Sequence, residues 1–270
     1  MLCLGLDPHP EALPVGFSPD LAGVERFAAL VLEAALPHAA AVKPNVAFYE
    51  AFGAAGVAAL ERLRASIPAD VPVIADVKRA DIDSTVARQA VALYDVLDVD
   101  AVTVNPYLGS IALGPLIERE DRFAYVLCRT SGPGSGELQD LVLAADRATG
   151  APAEPVHARV ARLVTGWGPG ETVGLVVGAT APDQLATIRA VAAGLPILVP
   201  GIGSQGGDVG AVLIHGRATA APGGRRAGGG LLVNVSRGIA GAALEAGDGD
   251  PLERVAAAAA EWAARLPVLP

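Results

Sequence analysis

Short apolar runs rich in β-branched residues alternate with Ala-, Leu- and Arg-rich stretches of helical periodicity along the whole chain. Runs of four to eight apolar residues bounded by turn signals read as strands covered on both faces. They fall at 2–6 (LCLGL), 40–44, 71–77 (VPVIADV), 101–104 (AVTV), 123–128 (FAYVLC), 172–177 (TVGLVV), 196–200 (PILVP) and 231–235 (LLVNV). Each is followed by a helical pattern, at 20–35, 49–66, 82–97, 109–119, 153–165, 182–193, 205–216 and 251–265. Strand–helix alternation predicts a parallel sheet. Eight repeats in about 250 residues predict an α/β fold of the (β/α)8 barrel type, one domain over 1–270, rather than an open doubly wound sheet.

Two connections exceed the usual few residues. Residues 131–152 separate the fifth strand from its helix and would lie on the face where such barrels carry their sites, as a potential lid. Residues 217–230, Gly-rich with Arg225 and Arg226, lie at the opposite end and read as a flexible surface loop.

Composition narrows the partners. Hydrophobic residues make up 52 % of the chain, yet no apolar run approaches the roughly 18–20 residues of a membrane span. No secretory leader pattern is visible, so the expected location is the cytoplasm. Cys3 and Cys128, far apart in predicted strands, read as buried free thiols rather than a disulfide. A net charge of −9 disfavours nucleic acid and anionic membranes as partners and leaves small anionic molecules open.

The cations are unevenly chosen. Of 20 Lys plus Arg, only Lys43 and Lys78 are lysines. An ammonium can release a proton in a tuned site and a guanidinium effectively cannot, so both lysines are candidates for proton chemistry. Both fall at the C-terminal ends of predicted strands, where a barrel of this type does its chemistry. There they join Asp7, Asn45, Asp76, Asn105, Arg129, Ser131, Thr180, Ser236 and Arg237. In "IADVKRADIDST" (74–85), Asp76 and Lys78 are two apart on a strand and predicted to share its inward side. Asp81 has two readings, an N-cap for the following helix or a member of a Lys43–Asp76–Lys78–Asp81 charge network. "PGIGSQGGD" (200–208), followed by "SRGI" (236–239), combines close-approach glycines with a fixed guanidinium, a suitable cradle for phosphate.

These segments, with "LGLDPHP" (4–10), "VKPNVAFYEAFG" (42–53), "VNPYLG" (104–109), "RTSGPGSGELQD" (129–140) and "NVSRGI" (234–239), resemble the orotidine 5'-phosphate decarboxylase family, and within it the type 2 bacterial subfamily. The resemblance runs essentially from end to end. It implies decarboxylation of orotidine 5'-phosphate to UMP in pyrimidine biosynthesis, by a homodimer without metal or organic cofactor. Lys43, Asp76, Lys78 and Asp81 would be catalytic, with Lys78 protonating C6 of the pyrimidine. Asp81 and Thr85 would reach into the neighbouring subunit's site. Asp7 and Lys43 would hold the ribose hydroxyls, Ser131 the pyrimidine, and Gln205 and Arg237 the phosphate. Asn45, Ile82, Asn105 and Pro200 complete the implied substrate-binding set. The chain departs from the pattern at Gly132, where Asn or His is expected, and the sequence starts at the first strand, where similar proteins usually carry a leading helix. Whether Asp76 destabilises the departing carboxylate or organises Lys78 stays open at this level.

Two rivals follow from the same residues. A metal-dependent sugar-phosphate decarboxylase or lyase of the same superfamily, such as a ketogulonate-phosphate decarboxylase, would present an acidic residue where Lys43 stands. A non-catalytic nucleotide-binding barrel would have no need of the charge network.

Overall fold

The structure is a computed structural model describing residues 1–203, 205–219, 230–244 and 249–267. Eight parallel strands form its sheet: β1 Leu2–Leu6, β2 Ala41–Pro44, β3 Ile74–Arg79, β4 Ala101–Val104, β5 Phe123–Arg129, β6 Val173–Val177, β7 Ile197–Val199 and β8 Leu231–Val235. Their order around the sheet is β2-β1-β8-β7-β6-β5-β4-β3. Parallel bridges Val42↔Val73 and Asn45↔Asp76 join β2 to β3 and close the ring. This is the (β/α)8 barrel predicted from the alternation.

The eight main helices are α1 Leu21–Ala35, α2 Gly53–Ala65, α3 Asp83–Ala90, α4 Gly109–Ile117, α5 Val156–Val164, α6 Pro182–Val191, α7 Val209–Gly216 and α8 Pro251–Arg265. Several starts differ from the sequence reading for local reasons. The pattern at 49–66 is broken at Gly53, whose φ of +63° divides a short Ala47–Glu50 helix from α2. α3 continues as a π-helical stretch, Val91–Val96. α7 begins at Val209 rather than 205, because Gly206 takes a φ of +80° and the Asp208 carboxylate caps the helix by accepting from Gly210 N–H at 2.7 Å. The 131–152 connection carries a short helix, Gly136–Gln139, and a strand, Val142–Leu143, that pairs antiparallel with Glu154–Pro155. Most of the 217–230 connection, including Arg225 and Arg226, lies outside the described residues.

The core has two shells. Residues on the outer faces of the strands, such as Leu4, Val42, Val102, Val126, Leu175 and Val233, pack under the helices. Inside the ring, Cys3, Ala41, Ile74, Ala101, Tyr125, Val176 and Leu198 form a separate plug. The period-2 alternation of strand side chains sends one set to each shell. Both cysteines are buried free thiols. No helix among the described residues is long and apolar enough to cross a membrane.

Candidate active site

Above the plug, at the C-terminal mouth of the ring, a cavity of about 280 Å³ is lined by Asp7, Lys43, Asn45, Asp76, Lys78, Ser131, Pro200, Gln205 and Arg237 from the predicted set. Thr103 on β4, Asn234 on β8, and Leu127, Val176 and Leu198 on β5 to β7 complete its floor and walls. The cavity is thus two-sided. Strands β8 and β1 to β4 face it with polar groups, and β5 to β7 with aliphatic ones.

Asp76 is the hub. Its Oδ2 accepts from Lys43 Nζ at 2.5 Å, and its Oδ1 from Lys78 Nζ at 2.5 Å and from Thr103 Oγ1 at 3.0 Å. The lysines differ in setting: the Lys43 side chain is 4 % exposed and that of Lys78 is 49 % exposed. Burial by itself would lower the Lys43 pKa, but the Asp76 and Asp7 carboxylates beside it outweigh burial and hold it above the ordinary value. Burial would likewise raise the Asp76 pKa, and Lys43 and Lys78 reverse this to about 2. Asp76 and Lys43 therefore stay charged at neutral pH. Beneath them the Cys3 thiol is pushed up to about 12 by burial, so it sits in the plug as an inert neutral group.

Asp76 and Lys78 share the mouth, as predicted, but not through regular strand alternation. Pairing of β3 with β4 jumps from Ala75↔Val102 to Arg79↔Val104, four steps on one strand against two on the other. Lys78 sits in this bulge with φ +47°, a left-handed conformation that an L-residue adopts at a cost.

The glycines set the rim. A Cβ at Gly178, just past β6, would stand 2.6 Å from Ser131 Cα, and one at Gly201 2.9 Å from Gln205 Oε1 and 3.1 Å from Ser131 Cβ. Ser131 and Gln205 are thus brought side by side by backbone approaches that only glycine allows. Thr180 Oγ1 donates to Ser131 O at 3.2 Å. Arg237 opens the Arg237–Ala240 helix, and Trp262 Nε1 from α8 donates to Gly238 O at 3.0 Å, anchoring that segment from outside. Two buried oxygens at the cavity, Asp7 Oδ1 and Asn234 Oδ1, have no hydrogen-bond partner among the described residues, an acceptor pair suited to donors on a ligand.

Four of the implied catalytic and substrate-binding residues, Asp81, Ile82, Thr85 and Asn105, lie outside the cavity of this single chain. Asp81 accepts from Ile82 N–H at 2.8 Å on the connection into α3, and the residue preceding that helix is Ile82, so Asp81 is not its N-cap. Ile82 and Thr85 are exposed beside it. Asn105 instead caps the Pro106–Leu108 turn, its Oδ1 accepting from Tyr107 N–H at 3.1 Å. Arg129 also turns away from the cavity and grips Asp140 with two bonds of 2.8 and 2.9 Å, with His157 Nδ1 3.2 Å from the same carboxylate, which fastens the 131–140 segment to α5. Sequence reasoning passed over Thr103 and Asn234. The available signal was a single polar residue at an inward position of an otherwise apolar strand, in AVTV and in LLVNV.

A parallel eight-stranded ring with ion-paired lysines at its C-terminal mouth defines a (β/α)8-barrel enzyme. The chain belongs to the orotidine 5'-phosphate decarboxylase / HUMPS family, whose profile matches residues 1–248. It is 44 % identical to the orotidine 5'-phosphate decarboxylase of Herpetosiphon aurantiacus over 88 % of this chain and 83 % of that one. Among solved structures, the OMP decarboxylase of Leishmania donovani superposes with a TM-score of 0.78 at 37 % identity, covering 97 % of this chain and 90 % of that one. The Leishmania donovani UMP synthase superposes at 0.82 with 38 % identity over 98 % of this chain; this chain spans about half, 52 %, of that longer protein.

Proposed function

We propose that this protein converts orotidine 5'-phosphate to UMP and carbon dioxide, the last step of UMP synthesis, as a cytoplasmic, single-domain member of the type 2 subfamily. The observation that carries this reading is the Lys43–Asp76–Lys78 cluster at the floor of the mouth, with Lys78 turned into the cavity by the β3 bulge.

The reaction breaks the bond between C6 and its carboxyl carbon. Carbon dioxide leaves and the electron pair stays on C6, a carbon whose ring offers no carbonyl to delocalise it. A cation already in place where that charge develops lowers the barrier most. The Lys78 ammonium fills that role and then delivers its proton to C6; water restores the ammonium afterwards. Asp76 aims Lys78 through their 2.5 Å contact and lies where the carboxylate departs. Lys43 and Asp7 take the ribose hydroxyls, Ser131 and Asn45 the pyrimidine side, and Gln205 and Arg237 the phosphate beside Pro200. Binding energy from the phosphate is spent on closing the site around the reacting carbon. The cations are side chains, so the reading requires no metal or organic cofactor.

The same reading makes the protein a homodimer. Asp81, Ile82 and Asn105 lie in the loops after β3 and β4 and Thr85 in the first turn of α3, where Ile82, Tyr107, Leu108 and Ile111 are exposed. A second copy docked on this apolar rim would cover it and bring Asp81 and Thr85 to the neighbouring mouth.

The test is the loss of orotidine 5'-phosphate absorbance on adding EDTA-treated protein. Conversion to UMP supports the reading; folded protein that converts nothing, or does so only with added magnesium, overturns it. Lys78→Arg, which keeps the charge but holds its proton, should still bind UMP and lose turnover by at least about 100-fold.

A further inference from the structure

The β3 bulge strips two amides of their partners on the neighbouring strand, those of Val77 and Lys78. Both donate instead to one atom, Thr103 Oγ1, at 3.0 and 2.9 Å. A hydroxyl has two acceptor sites and one proton. With both acceptor sites occupied by N–H groups, the proton is left for the remaining neighbour, Asp76 Oδ1, at 3.0 Å. Thr103 is 2 % exposed, so water does not compete for any of the three bonds. One side chain on β4 thus fixes both the backbone that turns Lys78 into the mouth and the carboxylate that Lys78 contacts.

We propose that Thr103 is the positioning residue of this site: its hydroxyl locks the β3 bulge and aims the Asp76 carboxylate, so that Lys78 meets the reacting carbon in a single geometry. Without it, Asp76 Oδ1 retains only the ammonium of the half-exposed Lys78. Two buried amides would also lose their acceptor, and the left-handed turn at Lys78 would relax toward a regular strand. The inference rests on the decarboxylase reading for its kinetic consequence but not for its structural one.

The experiment compares the wild type with Thr103→Val, which keeps the shape and removes the hydroxyl, and Thr103→Ser, which keeps the hydroxyl. The expected result is that Thr103→Val lowers kcat by about 100-fold with KM changed less than about threefold, while Thr103→Ser stays within about fivefold of wild type. A second readout is independent of turnover: the carboxyl carbon-13 titration of Asp76 in the substrate-free protein. It should move to higher pH in Thr103→Val, since a donor to the charged form has been removed, and stay in place in Thr103→Ser. The charged and titratable groups facing Asp76 from the neighbouring strands, Lys43 on β2, Lys78 on β3, Cys3 on β1 and Asp7 just past it, are the same in all three proteins. A Thr103→Val protein with wild-type kcat and an unmoved titration overturns the proposal, as does a folded Thr103→Ser protein that loses as much as Thr103→Val. If Thr103→Val does not fold, the Thr103→Ser result decides alone. A wild type that fails to turn over refutes the decarboxylase reading, and the titration still judges Thr103.

Discussion

Lys43 and Asp76 form their 2.5 Å ion pair across the seam where the barrel closes. β2 and β3 meet there only through isolated bridges, at Val42↔Val73 and Asn45↔Asp76. The two charges that face the cavity therefore also hold the first and last strands of the sheet order together.

Removing one of them should be felt in the fold. Lys43→Met leaves Asp76 buried with only Lys78 as a cation, and breaking a buried pair in this way costs about 3–5 kcal/mol. The expected outcome is a fall of this order in urea-unfolding stability together with loss of turnover. Lys43→Met combined with Asp76→Leu should regain most of the stability and none of the activity.

Acid should unfold the wild type through the same carboxylate. The folded Asp76 pKa is about 2 against an ordinary 3.8, so its contribution is fully present above 3.8 and is lost as pH falls through about 2. The depression corresponds to roughly 2 kcal/mol. Stability measured between pH 5 and 2 should fall less steeply in Asp76→Asn than in the wild type. Lys43 acts at the other extreme: its raised pKa makes its contribution complete below the ordinary lysine value of 10.5 and lost only above it.

Gly178→Ala tests the rim. The new methyl would stand 2.6 Å from Ser131 Cα, a backbone atom with no rotamer to escape into. Ser131 must move, and the expected effect is a KM raised by about tenfold for a stability loss of about 1–3 kcal/mol, measured by steady-state kinetics beside thermal unfolding.

Arg189 offers the contrasting case. It is 2 % exposed, and burial lowers its pKa to about 10. Its guanidinium donates to the carbonyls of Gly216, Ala192 and Leu195 at 2.7 to 3.0 Å, far from the mouth, and reaches Gly230 O at 3.4 Å. It thereby ties both ends of the 217–230 connection to the end of α6. Arg189→Met should lower the urea midpoint, with a loss of about 3 kcal/mol, and leave kcat per folded molecule unchanged.

The strands were legible because burial on both faces leaves few polar residues in them, and most of those gather at the mouth. Lys43, Asp76 and Lys78 could be placed at one mouth for that reason. The bulge was not legible: nothing in "ADVKR" marks two extra residues, since their cost is met by Thr103, 25 positions downstream of Lys78. Asn105 shows how ambiguous such a signal is. A polar residue at a strand end serves a cap as readily as a ligand, and the turn at Pro106 claims its side chain. Asp81, Ile82 and Thr85 lie outside the mouth in a single chain; the sequence read Asp81 as a cap or a network member, and a role across an interface for Asp81 and Thr85 came from the family resemblance alone.

The near-absence of lysine gives the molecule an unusual chemical address. Of its two ε-amines, Lys43 is 4 % exposed and closed to reagents, whereas Lys78 is 49 % exposed and opens into the cavity. An acylating or reductively alkylating reagent thus has one accessible lysine in 270 residues. A modification count by mass spectrometry, with and without a nucleotide in the mouth, would report directly on occupancy of the site.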